Sequence, residues 1–178
     1  MKRTYGLIVI VSLIAIVLFL LKTFTPNQTA IPSKTPVLQS PSPTLEMQKS
    51  VDYKARFAIH TNGIKRVFVS SMYHNLSKDV YIEASDPSIV HVKKDGATWM
   101  DFFATLPFKL SKDCLTTGTN ETFCTTKNAT LKLYLNGVRN DNLLTEKINH
   151  GDWALISYGT ENEAQIKSQL NSLKPSDE

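Results

Sequence analysis

Apolar positions follow three patterns along this chain of 178 residues. From Tyr5 to Leu21 they are continuous and free of charge. From Thr25 to Ser50 they thin out among Pro, Ser, Thr and Gln. From Val51 onward they recur with the periods of strands and helices. Seventeen residues of helix at about 1.5 Å each span roughly 25 Å, near the lower limit for crossing a bilayer core. Thr23 and Phe24 can lengthen the span, and Lys22 can extend its ammonium to the lipid headgroups. The first pattern predicts a transmembrane anchor over residues 1–24. Lys2 and Arg3 precede it and favour a cytoplasmic N-terminus. A cleaved signal peptide is the alternative, but no small-residue cleavage site follows the apolar run.

Five of the eight prolines, Pro26, Pro32, Pro36, Pro41 and Pro43, fall in the second pattern. Such a segment buries too little apolar surface to offset its ordering entropy. Residues 25–50 are therefore expected to be an extended spacer, carrying an extracytoplasmic globular domain at 51–174 and a short tail at 175–178.

Within that domain Tyr53, Ala55, Phe57 and Ile59 alternate with more polar residues, which predicts a strand with one buried face. Asn62-Gly63 is a hairpin signal, and Ile64 to Val69 is expected to be the return strand. Val80–Ala84 and Ile89–Val92 are two more short strands around a turn at Ser85–Ser88. Thr98 and Asp101 form a capping box ahead of Trp99, Phe102, Phe103 and Leu106, whose spacing is that of one helix face; Pro107 ends it. Leu131, Leu133 and Leu135 alternate into a second turn at Asn136-Gly137. Trp153–Tyr158 is the last strand. Thr160 and Glu163 are expected to cap a terminal helix with Ile166, Leu170 and Leu173 as its stripe. Strands dominate around one internal helix, which makes the class α+β.

Charge narrows the function. Five of the twenty basic residues and one of the sixteen acidic ones lie in the first fifty positions, so the domain carries fifteen of each. An electroneutral domain gives no reason to expect a basic face for nucleic acid. There is no metalloprotease His-Glu-x-x-His, no nucleophile elbow and no Gly-rich phosphate loop. Cys114 and Cys124 are the only cysteines. Outside the membrane a disulfide between them is expected, with free thiols or a redox pair as alternatives. Nine intervening residues do not supply the close spacing of redox motifs. Asn27, Asn75, Asn120 and Asn128 each begin an Asn-x-Ser/Thr sequon.

The pattern Thr98-Trp99-Met100-Asp101-Phe102-Phe103, with Leu133-Tyr134-Leu135-Asn136-Gly137 and His150-Gly151-Asp152-Trp153 downstream, resembles the β-grasp fold of ubiquitin-like sulfur carriers. Those carriers end in Gly-Gly, whereas this chain ends Lys174-Pro175-Ser176-Asp177-Glu178, so a carrier role lacks its chemistry. Asn62-Gly63, Ile89-Val90-His91-Val92, the paired cysteines and Ile156-Ser157-Tyr158-Gly159 are more closely similar to an uncharacterised single-anchor extracytoplasmic family of archaea and bacteria. That resemblance implies a mixed β-grasp-like sheet with one packed helix and a C-terminal helix. It names no activity.

Members of that family often carry His-x-His pairs, a set that suits copper or zinc. Here only His74 and His91 fall at such positions, and the strand continues to Lys93. Alternation places His91 with Ile89 and Lys93, opposite Val90 and Val92. Glu83 or Asp86 could serve as a third ligand if the two imidazoles converged. The expected function is a non-catalytic, membrane-tethered binding module for a protein or envelope partner, with no cofactor. Metal handling is the first alternative and a thiol-disulfide enzyme the second.

Overall fold

The alternation in the first strand is realised as β1 (Ser50–Thr61), the longest element of the computed structural model, which describes residues 50–174. The expected anchor, the spacer up to Lys49 and the tail at 175–178 lie outside the described residues. No helix among the described residues is long and apolar enough to cross a membrane.

Asn62 and Gly63 adopt positive φ values of 52° and 79°, as a tight hairpin turn requires. Their return strand β2 is only Ile64–Lys65, far shorter than expected. The reason lies in β1 itself. Strands β3 (Val80–Ile82) and β4 (Ile89–Lys94) form a hairpin, and β4 pairs with the lower half of β1 up to Arg56↔Ile89. The Phe57 amide then donates to the Ser88 carbonyl at 3.0 Å, while the Arg66 amide donates to Ile59 at 2.8 Å. The β1 edge is full, so the chain after Arg66 must leave it.

Helix α1 (Trp99–Thr105) starts at Thr98 with the expected capping box and turns Trp99, Phe102 and Phe103 into the core. A small antiparallel sheet follows in a region that shows no strand signal in sequence: β5 (Lys109–Leu110), β6 (Cys114–Thr116) and β7 (Thr122–Cys124). Then come β8 (Thr130–Leu135), β9 (Val138–Arg139), β10 (Trp153–Gly159) and α2 (Glu163–Leu173). The main sheet runs β3-β4-β1-β10-β8-β9, with β2 beside β1. Only the central β1–β10 pair is parallel; its neighbours are antiparallel. Among the described residues the architecture is α+β, with a mixed sheet and two α-helices.

Ala55, Phe57, Ile59, Val90, Val92, Leu131, Leu133, Ala154 and Ile156 join the α1 aromatics in one core. The opposite face is not open along its whole length, as the one-faced pattern of β1 suggested. Leu173 of α2 packs with Ala58 and Leu155 into a second, smaller cluster. Helix α2 starts later than the sequence suggested: Asn162 is its cap, paired reciprocally with Gln165, and Thr160–Glu163 is not the box. Glu161 is drawn instead to the sheet, where its carboxylate accepts from the Gly63 amide at 2.8 Å and Lys132 Nζ at 3.1 Å.

Candidate functional site

The two candidate metal-binding histidines have separate engagements. His91 lies on the face away from α1, as alternation required, stacked on Tyr81 with ring centroids 5.3 Å apart. Its Nε2 is 3.9 Å from Glu83. His74 follows a short 3-10 turn at Ser71–Tyr73, and its Nε2 is 2.8 Å from the Phe68 carbonyl oxygen. Asp86, the other candidate third ligand, accepts from the Ser88 amide and hydroxyl. Among the described residues no three His, Cys, Asp or Glu side chains are grouped to hold an ion.

Cys114 and Cys124 form a disulfide, directly opposite each other in the β6–β7 ladder. The bridge closes a hairpin whose tip, Thr117–Thr119, is tied by hydroxyl and amide bonds around Thr117.

Beneath α2 lies a row of polar side chains that periodicity alone did not single out. His60, Ser157 and Lys132 are in register across β1, β10 and β8, and all three are buried. An imidazole, a hydroxyl and an amine are the residue types of nucleophilic chemistry. Their geometry is otherwise. Ser157 is 0% exposed, and its Oγ, like Nδ1 of His60 and Oε1 of Gln169, has no hydrogen-bond partner among the described residues. Lys132 is committed to the Gly159 carbonyl at 2.9 Å and to Glu161. No hydrogen bond joins the Ser157 hydroxyl to a base among the described residues.

The row is expected to make the domain sensitive to acid. Burial first, and the nearby Lys65 second, hold the His60 imidazole below its usual pKa, with Glu161 opposing them. Its neutral form therefore stabilises the fold above the unfolded value of about 6.5, and that stability is lost as pH falls below it. Burial opposes ionisation of Glu161, but its hydrogen bonds, including that from Lys132, leave its pKa lowered. Its contribution is lost only further down, below about 4.3. The melting temperature is expected to fall between about pH 7.5 and 5.5, and His60→Asn should flatten that stretch of the profile. Parallel profiles for both proteins would assign the effect to another group.

The exposed apolar surface lies elsewhere, along the segment displaced from β1. Ile64, Val67 and Val69 are 70%, 68% and 72% exposed, Met72 borders the same cleft as Ile64 and Val67, and Leu76 further along the chain is also exposed. Phe68 between the valines is buried, packed against Phe57 and Tyr73 at centroid distances of 5.1 and 5.2 Å. This out-in-out alternation is that of an extended chain. A cleft of about 410 Å³ separates the segment from Phe108, Leu115 and the Thr117–Thr119 tip. A second, of about 220 Å³, lies between it, Phe57–Ala58 and Asp86–Ser88. Arg66 crosses to the hairpin, 3.3 Å from Glu121 and 5.3 Å from the centre of the Phe123 ring. Ile64–Val69 follows an Asn-Gly turn and is rich in strand-forming residues, and nothing local says that β4 has taken its place beside β1. No protein family, no curated protein and no solved structure matches this chain.

Proposed function

We propose that this chain is a membrane-tethered extracytoplasmic binding module of β-grasp-like build, without catalytic activity, whose binding face is the Ile64–Leu76 surface. The observation that carries the reading is the run of exposed Ile64, Val67, Val69 and Met72 beside a cleft of about 410 Å³. Leaving that much apolar surface in water is unfavourable by about 25 cal/mol per Å², and a partner removes the cost. The anchor and spacer read from residues 1–50 would hold this face clear of the lipid. The strand order β4-β1-β10-β8-β9, with its central parallel pair and α1 on one face, supports the β-grasp likeness.

Photocrosslinking in native membranes tests the reading. A crosslinking side chain at position 67 or 72 is expected to give adducts in the membrane fraction. The same group at position 168, on the exposed side of α2, should give none. Equal adducts at all three positions, or none at any, would overturn it.

A further inference from the structure

The displaced segment offers more than apolar side chains, and what it offers specifies the form of the partner. Among the described residues the backbone amides of Val67, Phe68 and Val69 donate to no protein acceptor. The only carbonyl of the three with a partner is that of Phe68, which lies against His74. Unpaired extended backbone carrying β-branched residues is a template for another strand. In an extended chain the N–H and C=O of one residue point to the same side, and the side alternates from residue to residue. The Arg66 amide points towards β1, so Val67 and Val69 present theirs away from it.

Resting on the binding face assigned above, we infer that the partner is an extended polypeptide segment that adds as a strand to Val67–Val69, with apolar residues on the face towards the wider cleft and an acidic residue on its other face, beside Lys65. The wider cleft receives its apolar side chains between Met72 and Leu115. Charge selects the acids. Lys65 borders both clefts and makes no ion pair among the described residues. The acids nearby are already engaged, Glu121 by Arg66 and Asp86 by Ser88. A carboxylate on the added strand would meet the Lys65 ammonium.

Other occupants fit less well. The spacer of this same chain has five prolines, which lack the amide a ladder needs, and it is net basic. A second copy paired antiparallel about Phe68 would set Ser71 opposite Lys65 and Ser70 opposite Arg66, leaving the ammonium of Lys65 without a counter-charge.

The test uses the full chain in lipid nanodiscs and a fluorescein-labelled peptide, Glu-Val-Thr-Val-Glu-Val-Thr-Val, followed by fluorescence anisotropy. Binding is expected with a Kd on the order of 10 µM or tighter. N-methylating the peptide on alternate residues, which removes the ladder hydrogen bonds, should weaken it about tenfold. Val69→Pro removes one amide at an exposed side chain and should weaken the unmodified peptide by a similar factor. Replacing the Glu residues of the peptide with Lys should also weaken it. If Val69→Pro lowers the melting temperature, the N-methyl comparison on the unaltered chain decides. Equal binding of the methylated peptide, or no saturable binding up to about 1 mM, would overturn strand addition. So would a dimer in sedimentation that Val69→Pro dissociates, because the occupant would then be a second copy. Crosslinks persisting at positions 67 and 72 in any of these cases would leave the binding face standing, while their absence would remove both.

Discussion

Phe57→Ala is expected to cost about 3–5 kcal/mol of unfolding free energy in a denaturant titration. The ring is 1% exposed at the centre of the core. It meets Phe102 at 5.0 Å and Phe103 at 6.0 Å from α1, and Phe68 at 5.1 Å from the displaced segment. Truncation removes the burial of a large apolar side chain and leaves a cavity that a sheet and a helix can only partly close. The residue has a second role, because Phe68 is the buried anchor between Val67 and Val69. Loss of its ring partner should loosen the Val67–Val69 segment along with the core. Phe57→Leu, which keeps most of the volume, should recover much of the stability. A cost below about 1 kcal/mol for the alanine variant would show that this cluster does not hold the domain together.

Replacing both Cys114 and Cys124 with Ser is expected to lower stability by about 2–4 kcal/mol. The two residues are ten apart in sequence, and a loop of that length gives roughly 3 kcal/mol on the chain-entropy estimate. In the native protein the bridge joins facing residues of β6 and β7, a sheet of three short strands with little core of its own beyond Leu110, Leu115 and Phe123. Its hairpin forms one wall of the wider cleft, so the same substitution should weaken peptide binding as well as fold stability. Reductant should shift the melting of the wild-type chain and leave that of the Ser variant unchanged. Indistinguishable melting of the two proteins under oxidising conditions would mean the bridge contributes nothing.

Much of this molecule was legible from local signals. The Thr98–Asp101 box and the spacing of Trp99, Phe102 and Phe103 placed α1, because capping and a 3.6-residue period depend on neighbours within one turn. The two Asn-Gly turns needed only positive φ at four residues, which those residue types permit. The side of β4 on which His91 lies followed from alternation alone. Other features required distant segments to meet. The α2 cap moved to Asn162 because the Glu161 carboxylate is held at the sheet by Lys132 and Gly63. His60, Ser157 and Lys132 became a row only through the pairing of β1, β10 and β8.

The clearest case is Ile64–Val69. Its β-branched and aromatic residues after the Asn62-Gly63 turn mark it as a return strand, and the residues themselves determined that much. Whether a strand finds a partner depends on which edge is vacant, and β4 had filled that edge of β1 up to Ser88. Periodicity reports which face of a segment is apolar, since that is a property of consecutive side chains. It carries no information about competition between distant segments for one row of backbone hydrogen bonds. Only the tertiary structure settled that competition, and in doing so it left Val67 and Val69 exposed.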